Sequence, residues 1–245
     1  MALRGNGFEH GSAVPQDMSS KFLVLLMILV VQLPQVTSAR EPCAGITTEG
    51  SLEEIAIACD SYLRVQAYFA RLGFDRSLTL RVRFQDTVRL EGPKDGYPVT
   101  GLFVPAEALI EMTSLDSAAP ARALHWNQSW TRPVAASILD HEFAHAFVED
   151  VVASPLPQSW NEFVAYAVQF ELIQPELREA ILVTYPTAKP YQQRSEVCDM
   201  AYLIDFDLFG VRSYLTAEAG GGPDYIKKIL VGDVQTGTPR RFECP

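Results

Sequence analysis

Histidine is scarce in this chain, with four in 245 residues. Cysteine is equally scarce, and its four copies form no Cys-x-x-Cys or Cys–His spacing, which leaves no cysteine-rich zinc module. Basic residues are outnumbered, 20 Lys and Arg against 30 Asp and Glu, for a formal net charge of −10. Residues 1–39 hold two basic and two acidic groups, so the remainder carries the whole imbalance. Such a surface argues against nucleic acid and against anionic membranes as partners. Long apolar runs are also missing. The run at residues 22–31 has ten residues, whereas a bilayer span takes about 20. No repeat or low-complexity tract stands out.

What is present at the N-terminus reads as an export signal. Lys21 precedes the apolar run, and Thr37-Ser38-Ala39 follows it, so a secretory signal peptide cut after Ala39 is expected. Met18 serves as the natural start, with residues 1–17 as overhang. The rival reading is an uncleaved N-terminal anchor. After cleavage, residues 40–245 form a single domain, periplasmic or secreted, with no stable membrane anchor. An even cysteine count in an exported chain implies two disulfides with three possible connectivities. The shorter loops, Cys43–Cys59 and Cys198–Cys244, are favoured.

Periodicity places strands first and helices after. Ser51-x-x-Glu54 is a capping box opening a helix that ends near Gly73. Residues 78–85 alternate apolar and polar, as a half-exposed strand does. Further strands are expected at 97–104 and 108–113, around a turn cluster at 91–96. Residues 114–132 form a long connection containing His125. Helices follow at 134–149, 160–173, about 195–218 and 224–230. The expected fold is α+β: a small antiparallel sheet packed beside a helical half.

The chemistry concentrates in His141-Glu142-Phe143-Ala144-His145. Two histidines four apart on a helix stack on one face, where one tetrahedral metal ion can take both. Glu142 lies close enough to act on a metal-bound water without being a ligand. Its uncharged neighbours, Ile138, Leu139, Ala146 and Phe147, suit a buried metal helix. Glycine three and histidine six residues after His145 would extend the motif, but Val148 and Val151 occupy those places. Glu149 lies eight residues from His141, roughly 12 Å along the axis, too far to converge.

Glu162, seventeen residues after His145, is the better third ligand. The breaker-rich loop around Pro155 and Pro157 lets a second helix fold back on the first. A competing local role exists, because Ser159-x-x-Glu162 also reads as a capping box. Capping alone explains neither Asn161 nor Ala165.

His141-Glu142-x-x-His145 followed by Asn161-Glu162-x-x-Ala165 resembles the gluzincin group of zinc metallopeptidases, as a compact member. The motifs cover residues 138–165, and a weaker likeness runs from Ala201 through Phe209 to Leu215. The resemblance implies a zincin-like fold, Zn²⁺ held by His141, His145 and Glu162, and hydrolysis of peptide bonds with Glu142 as general base. It also implies a transition-state donor from the C-terminal helices. Tyr202 is the first candidate, then Tyr166 and His125. An edge strand should lie beside the metal helix, with 108–113 the natural candidate, the other reading of that segment being an ordinary internal strand. Thermolysin-like members hold a zinc-binding histidine with an Asp four residues after the ligand Glu. Here that residue is Tyr166, so the surroundings of the histidines must differ. The alternative class is an exported zinc-binding or interaction protein without catalysis.

Overall fold

The computed structural model describes residues 43–90, 96–118, 125–236 and 244. The expected signal peptide, the start at Met18 and most of the 91–96 turn lie outside the described residues. Residues Glu41–Pro245 cluster as one compact unit.

The order of elements is β1 (Ile46–Glu49), α1 (Leu52–Arg71), β2 (Leu80–Gln85), β3 (Val88–Leu90), β4 (Tyr97–Val99), β5 (Gly101–Val104) and β6 (Leu109–Thr113). Then come α2 (Arg132–Val151), α3 (Gln158–Leu172), α4 (Pro175–Thr184), α5 (Asp199–Ile204), α6 (Phe206–Ala219) and α7 (Pro223–Leu230). This is an α+β arrangement, with a four-stranded sheet ordered β1-β2-β6-β5 and a separate β3-β4 ribbon.

The sheet is not antiparallel as expected. β1, β2 and β6 run parallel, and only β5 pairs antiparallel, with β6. Alternation in a sequence reports which face is buried, not which way the neighbour runs. The crossover through α1 brings β2 back beside β1 in the same direction, as a helical connection permits. β1 escaped notice because it has four residues and buries only Ile46 fully.

Other boundaries shift for local reasons. The strand expected over 97–104 breaks at Thr100, so β4 joins β3 and β5 joins β6. The helix expected over 195–218 breaks at Asp205, whose backbone leaves the helical region (φ −155°, ψ 87°) and whose side chain caps Leu208 N–H. α4 was not anticipated, although Pro175 at its first position and Glu176 in its first turn suit a helix start.

α1 begins as the sequence implies. The Ser51 side chain accepts from Glu54 N–H while the Glu54 carboxylate accepts from Ser51 N–H. Glu54 also accepts from Leu115 N–H, tying the helix start to the chain after β6. The core lies between the sheet, through Leu80, Val82, Ile110 and Met112, and helices α1 and α2, through Ile57, Val65, Phe69, Leu139, Phe143 and Phe147. α2 is buried on nearly every side, so it lacks an amphipathic stripe. The remaining helices pack behind it. Gly210 lets α6 approach α3, since a Cβ there would lie 2.7 Å from the Tyr166 ring.

Both expected disulfides are present. Cys43–Cys59 joins the segment before β1 to α1, and Cys198–Cys244 joins the residue capping α5 to the C-terminal end. Among the described residues, no helix is long and apolar enough to cross a membrane.

Candidate metal centre

His141 and His145 lie on consecutive turns of α2, as their spacing requires, with their Nε2 atoms 3.0 Å apart. The helix is anchored one residue earlier. Asp140, 1 % exposed at its side chain, takes Arg64 of α1 through both carboxylate oxygens at 2.8 and 3.0 Å. Nothing in the sequence pairs these two residues, which are 76 positions apart.

The loop after α2 returns the chain so that α3 packs against it, and Glu162 faces the histidines. Its Oε2 lies 3.3 Å from His141 Nε2 and 3.6 Å from His145 Nε2. Among the described residues, this trio is the group of His, Cys, Asp or Glu whose ligand atoms converge within 4.8 Å. The triangle has the size of a zinc site. Ligands about 2.0–2.1 Å from a tetrahedral ion lie about 3.3–3.4 Å from one another. Glu149, by contrast, is exposed.

The competing capping role of Glu162 is absent. α3 starts at Gln158 after Pro157 with no side-chain cap, and Ser159 N–H donates instead to Asp199 of α5 at 3.2 Å. Asn161 acquires a clear part: its Oδ1 lies 3.0 Å from His145 Nδ1. Holding that proton fixes the His145 tautomer and leaves Nε2 for the shared centre. His141 is treated differently. The Tyr166 ring packs edge-on against it at 4.4 Å between centroids, and His141 Nδ1 has no hydrogen-bond partner among the described residues.

The charges of the trio reinforce one another. Burial works against ionisation of Glu162, but the adjoining His145 and His141 outweigh it and hold the carboxyl far below its usual range. Burial likewise pushes His145 down, yet the Glu162 carboxylate outweighs it and lifts the imidazole to about 9. A metal taking this site must displace that proton, as imidazole ligands bind neutral.

Glu142 is 7 % exposed and sits beneath the sheet edge. Burial raises its carboxyl above the usual range, opposed by the two histidines. The edge strand beside it is β5, not the expected 108–113, because β6 is an inner strand between β2 and β5. Phe103 N–H of β5 donates to Glu142 Oε2 at 2.8 Å.

The three donors named from sequence separate clearly. Tyr202 of α5 stands near the Glu162 carboxylate, and burial, with Glu162 and Glu142 adding, keeps its hydroxyl protonated far above the ordinary tyrosine range. Tyr166 is built into the core behind His141, against Trp126 and Phe209. His125 is engaged elsewhere, with Nε2 2.6 Å from Thr100 Oγ1 and Nδ1 3.7 Å from Asp207 Oδ1.

The residues that sequence reasoning missed are Arg64, Gly101, Phe103, Asp199 and Asp207. Asp207 receives both the backbone N–H of Trp126, at its carboxylate, and the Trp126 indole N–H, at its carbonyl. That pair holds Trp126 and Asn127 in left-handed backbone (φ 48° and 60°), a conformation that costs a non-glycine residue. No pattern in the sequence announces such long-range contacts.

The fold and site thus define an α+β protein with a largely buried His-His-Glu cluster and a second carboxylate, Glu142, beside it. The chain belongs to a family described as "Family of unknown function (DUF6639)", whose model matches residues 47–238. The matched span runs from β1 through α7 and contains every member of the cluster. No curated protein and no solved structure matches the chain.

Proposed function

We propose that this protein is an exported, zinc-dependent peptidase that resembles the gluzincins, with His141, His145 and Glu162 as ligands. The observation that carries the reading is the triangle of ligand atoms, with edges of 3.0, 3.3 and 3.6 Å, beside Glu142. A structural zinc site usually closes all four positions with protein groups, whereas three protein ligands leave one for chemistry. When bound, zinc supplies a Lewis acid that polarises a substrate carbonyl and acidifies a water. The Glu142 carboxylate accepts the proton of the attacking water and returns it to the leaving amine. The Tyr202 hydroxyl donates to the oxygen that gains negative charge, which is where a preorganised donor counts most. Asn161 holds His145 in the productive tautomer.

An extended peptide is the substrate that the surroundings favour, because β5 is an edge strand running beside α2. Two disulfides suit an oxidising compartment, periplasmic or extracellular.

The test combines elemental mass spectrometry with hydrolysis of fluorescently labelled casein. Wild type should carry one zinc and cleave casein. Glu142→Gln should keep the zinc and lose about 10²–10⁴ of the rate, the usual worth of a general base. Zinc retained with full activity in that variant would remove the mechanism. Zinc bound by a wild type that cleaves nothing would favour the non-catalytic alternative.

A further inference from the structure

Glu142 is gripped by the strand beside it. Gly101 opens β5 and faces Ile138 and Glu142 of α2. A Cβ at that position would lie 2.8 Å from Glu142 Oε1, 2.9 Å from Glu142 Cγ and 2.8 Å from Ile138 Cγ2. Real side chains do not approach so closely, so any other residue there would displace the carboxylate or the helix. Two residues on, Phe103 N–H donates to Glu142 Oε2 at 2.8 Å. Along a strand successive amides alternate in direction, and this one points away from β6, so the sheet ladder does not use it.

The strand cannot drift from this contact, because its start is pinned twice. Thr100 C=O accepts from Thr113 N–H at 2.9 Å, and Thr100 Oγ1 lies 2.6 Å from His125 Nε2. The β5–β6 ladder holds the rest, from Gly101 opposite Met112 to Val104 opposite Leu109.

We propose that β5 is the positioning element for Glu142, with Gly101 supplying the space and the Phe103 amide supplying the bond. The carboxylate is thereby oriented beside the ligand trio before substrate arrives. Gly101 and Phe103 are positioning residues, since both act through Glu142. The catalytic consequence rests on the peptidase reading, whereas the clamp itself does not.

The first measurement is hydrogen exchange of the Phe103 backbone amide by NMR, in wild type and in Glu142→Ala. A bond to a buried carboxyl oxygen at a sheet edge should slow exchange by about tenfold or more, and the variant should lose that protection. Equal exchange in both proteins would overturn the clamp. The second measurement compares Phe103→Pro with Phe103→Ala. Alanine keeps the N–H and removes the ring, and proline removes both, at an edge position where the ladder does not need the donor. With zinc content matched, and with the visible spectrum of the cobalt-substituted proteins unchanged, kcat on labelled casein should be about 100-fold lower in the proline variant than in the alanine variant, while KM stays level. Gly101→Ala should lower kcat in the same way without loss of zinc. Equal kcat for the proline and alanine variants would overturn the positioning role. A zinc-loaded wild type with no hydrolysis would overturn the peptidase reading instead, and the exchange result would still decide the clamp.

Discussion

The chain contains two Ser-x-x-Glu segments in front of helices, and they end in opposite roles. At Ser51–Glu54 the pattern closes into a reciprocal capping box, and Glu54 spends its carboxylate on backbone N–H groups. At Ser159–Glu162 the same pattern does not close. Ser159 gives its N–H to Asp199, and Glu162 turns to His141 and His145. The difference lies in what stands nearby. α1 starts at the chain's own turn, where the box has no rival. α3 starts against α2 and α5, where Asp199 satisfies the helix start and two imidazoles offer the carboxylate a stronger partnership. A capping box is worth about 1 kcal/mol, so a neighbouring charge can redirect it.

That comparison can be broken first at its carboxylates. Glu162→Ala should weaken zinc binding by more than about 100-fold, beyond the loss an outer partner alone causes. Glu54→Ala should leave zinc affinity unmoved. Competition with a chromophoric chelator reads both, and equal effects would erase the distinction between the two segments.

Asn161→Ala comes next, with an expected loss of about 10–100-fold in zinc affinity through His145 alone. The same titration reads it. No loss would mean that the contact between Asn161 and His145 does not set the tautomer.

Glu54 should show its worth in stability instead. Glu54→Ala should cost about 1–2 kcal/mol by urea unfolding, since it frees the N–H groups of Ser51 and Leu115. Burial works against ionisation of Glu54, but its bonds to Ser51 and Leu115 outweigh it and lower its carboxyl from 4.5. A depressed carboxyl stabilises the fold above the unfolded value and loses that contribution as pH falls through the folded one. Wild type should therefore lose stability below about 4.5 more steeply than Glu54→Gln, and parallel curves would contradict the assignment.

The smallest effect is expected at Asp199→Ala. Releasing the Ser159 N–H should cost about 1 kcal/mol, and it gives the second capping box its chance to form. If Glu162 then deserted the histidines, zinc affinity would fall as well. Unchanged affinity would show that the histidines hold Glu162 without help from α5.

Much of the fold was legible, and the misses share a cause. Helix α2, expected over 134–149, spans Arg132–Val151, because an apolar run with Pro133 in its first turn marks itself. Of the strands after α1, β2 was found by alternation and β6 by its place in the chain, but their parallel direction was not, and the three-residue β3 was missed; strand direction belongs to the connection and leaves no mark on the strand. The edge strand was placed at 108–113 when β5 holds that position, because strand order in the sheet is a long-range property. Tyr202 was named through resemblance, and its place near Glu162 depends on α5 standing where Cys198–Cys244 and Asp199 attach it.

The placement of His141, Glu142 and His145 on one side of a helix was set by the sequence alone, because one turn of helix holds residues four apart in register whatever surrounds it. The disulfide partners followed from the same kind of reasoning, since the shorter loops are easier to close. The job of Glu162 was left to tertiary structure. Locally a cap and a turn toward the histidines differ by an energy too small to choose between them, and the packing of α3 on α2, with Asp199 brought in from α5, makes the choice. The clamp on Glu142 is of the same kind, because it joins residues 39 positions apart that only the meeting of β5 and α2 brings together.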